Sequence, residues 1–359
     1  MPARSKTLVM TAILLAAATV ASAGTARAQR LKQVGSITIP GGPVGSIGVI
    51  YIDQGTGLGY LADKDNKAVD IFDTKTDTYL GRITGFTGTT NSGATSGPNG
   101  IITIDEELWV SDGDSTIKVI DRKSGKITGA IPTGGQKRAN AMAYDPKDHL
   151  VIVANPNDKP PFLSLISTTP GHQIVAKIPV EDAAESLERS DYHAATGMFY
   201  TDVPILRANP TQGGLAQTDP KTGKLVKVHE LDRCHPHSLA LVADATLFLG
   251  CSLAPAAGGD LAVFDVGSGK VQATLPDMGG SGDTVVNPKL GQYYQSASSA
   301  LGGPALRVID IKSRTQVQKI PTSNSAHSIA ISLAQGHVYL PTAAKDGPCG
   351  GCIMVFAPQ

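Results

Sequence analysis

With 359 residues, 41% of them hydrophobic and 17% charged, the chain holds enough apolar material for a large core and too little charge for a disordered one. Lys plus Arg number 31 and Asp plus Glu number 31, so no basic surplus exists to neutralise phosphates, and nucleic acid is not an expected partner. Beyond the N-terminal segment, no apolar run approaches the roughly 18 residues of a membrane span.

The first element is an address. Arg4 and Lys6 precede the apolar run Leu8–Val20, and Ala26-Arg27-Ala28 before Gln29 fits a small-x-small cleavage site, with Ala21-Ser22-Ala23 as an upstream alternative. Residues 1–28 therefore read as a secretory signal peptide and 29–359 as the mature domain, periplasmic or secreted and without a membrane span. A retained N-terminal anchor is the competing reading. Cleavage removes Arg4, Lys6 and Arg27 and no acid, leaving the mature chain slightly acidic.

Next comes an isolated strand, about Leu31–Ile39, ending in Ile39-Pro40. From there the chain repeats. A β-branched run, an Asp and a Thr/Ser-Gly-Lys turn recur: Val119-Ile120-Asp121-Arg122-Lys123-Ser124-Gly125-Lys126, then Asp219–Lys224, then Val263–Lys270. Weaker copies sit at Ile71-Phe72-Asp73, Leu165-Ile166-Ser167 and Val308-Ile309-Asp310, and Val355-Phe356-Ala357 is a truncated last one. Each is a β-hairpin in which Asp caps the turn and Gly supplies positive φ. A strand ending Ile-Pro or Leu-Pro follows most turns (Ile131-Pro132, Ile178-Pro179, Leu275-Pro276, Ile320-Pro321), and proline places it at the outer edge of its unit. A repeat of about 47 residues with four short strands is a β-propeller blade. Seven hairpins and seven outer strands, offset by one, predict an all-β, seven-bladed β-propeller of four-stranded antiparallel blades. The N-terminal outer strand pairs with the C-terminal blade and closes the ring. No window after residue 28 sustains the 3.6-residue period that a helical solenoid needs.

The inner strand Ser328-Ile329-Ala330-Ile331 and the runs Phe199-Tyr200-Thr201-Asp202 and Val151-Ile152-Val153-Ala154-Asn155 resemble the YVTN-type seven-bladed propellers. The resemblance spans the mature chain, although no blade reads YVTN itself. It implies the fold and little chemistry, because that family is catalytically diverse.

In such a ring the long irregular loops gather on one face: Gly85–Pro98, Asn155–Phe162, Val203–Leu215, Ser252–Asp260, Ser296–Pro304 and Ala343–Gly351. Function is expected there. At that face each innermost strand begins with a polar residue: Asn99, Asn140, Glu185, His237, Asp283 and His327. The first blade offers only the Ile47 region. This mixed N/O ring predicts a site for a divalent ion (Ca, Mg, Mn, Fe or Zn), with Glu185, Asp283, Asn99 and Asn140 as ligands and His237 and His327 as ligands or acid–base groups. The competing reading is a channel in which these groups satisfy one another and ordered water. Glu185, His237 and His327 are the candidate catalytic groups. Arg138, Arg207 and Arg233, on the same face, are candidates for an anionic substrate.

Four cysteines remain. Cys234 and Cys251 map to one loop region of the fifth blade, and Cys349-Gly350-Gly351-Cys352 spans one turn. In an exported protein both pairs are expected as structural disulfides, Cys234–Cys251 and Cys349–Cys352. Ile353 after Cys352 excludes covalent c-type haem attachment. Trp109, on a second strand, belongs in the packing between blades.

Two functional classes follow. One is a monomeric metal- or acid/base-dependent hydrolase (lactonase- or esterase-like) or lyase acting on a small polar substrate. Calcium-dependent lactonase propellers and magnesium-dependent streptogramin lyases are similar in placing carboxylate, Asn and His groups in such a channel. The other is a non-catalytic periplasmic scaffold that binds a ligand or protein on the same face.

Overall fold

The computed structural model describes Met1 and residues 29–89, 95–243, 245–252 and 258–359. The signal-peptide reading over 1–28 falls, apart from Met1, outside these residues. Everything regular among them is strand: seven four-stranded antiparallel sheets stand around a ring, so the fold is a seven-bladed β-propeller. The innermost strands are Ile47–Ile52, Ile101–Ile104, Met142–Asp145, Ser190–His193, His235–Ala243, Thr284–Asn287 and Ala330–Ile331. No helix among the described residues is long and apolar enough to cross a membrane.

The hairpin chemistry is as the repeat requires. Asp121 Oδ1 accepts Ser124 N–H at 2.7 Å, Asp265 Oδ1 accepts Ser268 N–H at 2.7 Å, and Asp310 Oδ1 accepts Ser313 N–H at 2.7 Å. These hydrogen bonds favour the ionised carboxyls and hold all three below the usual carboxylate range. Gly125, Gly223 and Gly269 take φ of 66°, 63° and 67° at the turn, and Arg314 takes 56° at the equivalent point of the sixth blade.

Packing follows from strand alternation. In Leu150–Asn155, Val151 and Val153 face the second blade beside Trp109, while Ile152 and Ala154 face the fourth beside Phe199. Both faces are covered, so the strand reads as a continuous apolar run. Seven such clusters fill the seven interfaces between successive blades. Trp109 is fully buried in one of them, its indole N–H donating to Glu107 Oε2 at 2.8 Å.

Closure occurs where the offset count puts it. Leu31–Thr38 pairs antiparallel with Cys352–Pro358 as the outer strand of the seventh blade. Gln318 fixes its start, accepting from Leu31 N at 2.8 Å and donating to Leu31 O at 3.0 Å. Both disulfides are formed: Cys234–Cys251, with Cα atoms 4.8 Å apart, and Cys349–Cys352.

The fourth blade is the irregular one. Ala183–Glu185, ahead of its innermost strand, pairs as a two-stranded ribbon with Ile205–Leu206, which lies between its second and third strands. The extra residues lengthen that unit, so the spacing from Ser167 to Asp219 is 52 residues. The ribbon shifts the start of the innermost strand relative to the other blades.

Candidate functional site

At the loop-rich end of the channel the innermost strands come close together. Val49 N–H donates to Asn99 O at 2.9 Å, joining the first and second blades, and Asp283 N–H donates to His327 O at 2.7 Å, joining the sixth and seventh. Gly48 permits the first approach, since a Cβ there would lie 2.8 Å from Pro98 O and 2.9 Å from Asn99 O.

A cavity of about 150 Å³ opens at this point. Five of the six ring residues line it: Asn99, Asn140, His237, Asp283 and His327. Glu185 does not. It is exposed on the ribbon, and Glu188 occupies the cavity wall in its blade. Arg138 lines the cavity, but Arg207 and Arg233 lie elsewhere. Arg207 donates to Glu181 O and Ala183 O, both at 3.0 Å, under the ribbon, and Arg233 borders a separate cavity beside Cys234–Cys251. Two cations absent from the sequence-based set join the wall, Lys64 from the turn after the second strand of the first blade and Arg189 next to Glu188.

Asn99 and Asp283 are held by contacts that reach neighbouring blades. Asn99 donates Nδ2–H to Ser96 O and to Ala139 O, the latter at 2.8 Å. This fixes its amide, and Oδ1, on a residue only 2% exposed, finds no partner among the described residues. Asp283 accepts Ser328 Oγ–H at 2.6 Å and faces Arg189 Nε at 3.5 Å. Ser328 Oγ also accepts Ile50 N–H at 3.0 Å, tying the seventh blade to the first. His327 Nδ1 lies 2.9 Å from Ser325 O, so the neutral ring donates there and leaves Nε2 as an acceptor. Arg138 Nε donates to Asn157 Oδ1 at 2.7 Å.

The electrostatics are those of a crowded, half-buried cluster. Burial pushes the Lys64 ammonium down to about 8; Arg138 pushes the same way, while Glu188, Asp283 and Asp65 oppose it. Burial also lowers the His237 imidazole from its ordinary value, with Glu188 pulling back and His235 pushing further down. His237 is therefore neutral near pH 7 and competent as a base. Behind Glu188 lies Asp202, fully buried, with neither carboxylate oxygen partnered among the described residues. Burial first, and then the charge of Glu188, pushes its carboxyl well above the usual range. It lies across the strand pair from Glu188 and Arg189.

Compared with known proteins, the chain matches no family model, and no curated protein matches it. Three cations (Lys64, Arg138, Arg189) face two carboxylates (Glu188, Asp283) and two imidazoles around one small cavity. Among the described residues no three His, Cys, Asp or Glu side chains group as a metal site. Lys64, Arg138 and Arg189 can hold an anionic group by charge-assisted hydrogen bonds beside the acid–base groups.

Proposed function

We propose that this is an exported propeller of the YVTN type that binds a small organic anion at its channel mouth and performs acid–base hydrolysis or elimination on it. The observation that carries this is the convergence of Lys64, Arg138 and Arg189 on the same 150 Å³ as Glu188, His237 and His327. Export is supported by the two disulfides, which persist in oxidising compartments.

In the hydrolytic form, Glu188 or His237 takes a proton from water as its oxygen attacks the acyl carbon of an ester or lactone. The acyl C–O bond then breaks, and the protonated group returns the proton to the leaving alkoxide. Lys64, Arg138 and Arg189 hold the substrate anion and the charge developing on the carbonyl oxygen. A screen of small carboxylated esters and lactones tests this. Glu188→Gln is expected to lower turnover about 10²-fold or more, whereas Glu185→Gln leaves it intact. Saturable anion binding without turnover on any of them would instead mark a binding scaffold.

Charge on Lys64 gives the binding step a pH signature. Below about 8 the ammonium is protonated and attracts the anion; above it the charge is lost. Affinity for acetate or butanoate should therefore fall by about tenfold as pH rises through 8, the worth of one charge-assisted hydrogen bond. Lys64→Met should bind weakly at every pH and lose the step. A flat profile in the wild-type protein would remove Lys64 from the site.

A divalent ion held by Asn99, Asn140, Asp283, His237 and His327 is the second reading, and one observation favours it: the buried, unpartnered Asn99 Oδ1 is a ready ligand. Titration of metal-free protein with Ca2+, Mg2+, Mn2+ and Zn2+ separates the two readings, since only this one expects saturable binding that Asn99→Ala weakens.

A further inference from the structure

Backbone strain and hydrogen bonding meet at one residue beside the mouth, Ser186. Its φ is 66°, in the left-handed region that glycine occupies freely and serine does not. Most other non-glycine residues with positive φ, such as Asp105 (47°), His149 (56°) and Arg314 (56°), close a turn between adjacent strands of one blade. Ser186 closes no such turn. It stands between the ribbon strand Ala183–Glu185 and the innermost strand Ser190–His193, where the chain leaves the ribbon for the channel.

The chain on either side dictates this conformation. Glu185 is paired with Ile205 in the ribbon. Leu187 is fully buried in the cluster that holds Val180, Ala183, Phe199 and Leu206. Glu188 N–H donates to Asp202 O at 3.0 Å. With both flanks fixed, residue 186 takes up the change of direction, which glycine would do at lower cost. A hydroxyl stands there instead, and Ser186 Oγ–H donates to Glu188 Oε1. Glu188 in turn lines the mouth cavity with Arg189 and His237. That hydrogen bond has two consequences. A donor favours the ionised carboxyl, the form that accepts a proton. It also occupies one carboxylate oxygen, so proton exchange with water falls to the other.

We infer that Ser186 is a positioning residue of the acid–base site, held in a strained conformation so that its hydroxyl orients Glu188 and keeps it ionised. The inference rests on the reading of Glu188 as an acid–base group and adds the residue that sets it.

The first test needs no substrate. Carbon-13 NMR of the glutamate carboxyls, with Glu188 assigned through Glu188→Gln, gives its titration midpoint in the wild type, Ser186→Ala and Ser186→Gly. Both serine variants lack the donor, so both midpoints should move to higher pH by a similar amount. Their stabilities should differ. Alanine keeps a Cβ in the left-handed region and glycine relieves it, so Ser186→Gly should melt about 2 °C above Ser186→Ala. Glycine suits the local backbone, so this variant keeps the test open if the alanine one does not fold. On any ester or lactone that the protein turns over, Ser186→Gly should lower kcat about tenfold, leave KM unchanged and move the acid limb of the pH–rate profile upward. An unchanged Glu188 midpoint in Ser186→Gly overturns the inference whether or not a substrate is found. A shifted midpoint without turnover keeps the hold of Ser186 on Glu188 and counts against the hydrolytic reading alone. Equal melting temperatures for the two variants would remove the strain from the argument and overturn it in that form.

Discussion

Deleting residues 29–40 should abolish cooperative folding of the whole ring. The deletion removes the outer strand Leu31–Thr38 from the seventh blade and exposes the edge of Cys352–Pro358 along its length. Leu31, Ile37 and Ile39, all at most 5% exposed, leave with it, and they belong to the two clusters on either side of that blade. Three fully buried aliphatic side chains contribute about 5–9 kcal/mol, comparable with the entire stability of an ordinary domain. Thermal unfolding followed by circular dichroism should show the single transition lost or moved far down. Ile37→Ala gives the graded version, with an expected loss of about 2–5 kcal/mol. An unchanged melting temperature in the deletion would mean the ring is not closed by this strand.

The second large effect concerns Cys234–Cys251. The bridge closes a loop of 17 residues and joins the entry of His235–Ala243 to the end of Thr246–Ser252 in the fifth blade. Loop-closure entropy for that length is worth about 3 kcal/mol, against about half as much for Cys349–Cys352, whose separation is 3 residues. Replacing Cys234 and Cys251 together with Ala should lower the urea midpoint accordingly. Because Cys234 stands three residues before His237, anion affinity should fall as well. Replacing Cys349 and Cys352 should cost less and leave the mouth intact. Equal losses from the two pairs would contradict this ranking.

The fold was legible because a propeller writes its architecture into local chemistry. The Asp-capped hairpin at Asp121, Asp219 and Asp265, the proline that ends Ile131-Pro132 and Ile320-Pro321, and the orphan strand before residue 40 are each dictated within a few residues. Nothing long-range is needed to count them. The site was legible where a blade keeps its length. Counting back five residues from Asp145, which caps the turn after its innermost strand, gives Asn140. The same count from His193, whose Nδ1 accepts Thr196 N–H at 3.1 Å in the corresponding turn, gives Glu188. Placing the start of the innermost strand at Ser186 points to Glu185, but the ribbon Ala183–Glu185 displaces that start. Counting from the turn was the available signal. Lys64 carried no such mark. It lies in the turn after its blade's second strand and enters the cavity wall only once the ring brings the blades together. Arg207 and Arg233 share the loop-rich face in sequence terms, but the ribbon and the disulfide loop carry them away from the axis.

The central claim is that the channel mouth is a binding site for an organic anion. The most direct measurement is NMR of the imidazole resonances during titration with butanoate. The account predicts saturable shifts of His237 and His327 with one common dissociation constant, both lost in Lys64→Met/Arg138→Met, and no shift of His149, which lies in the turn before Leu150–Asn155. Unmoved His237 and His327 resonances at saturating butanoate, or equal shifts across all histidines, would contradict it.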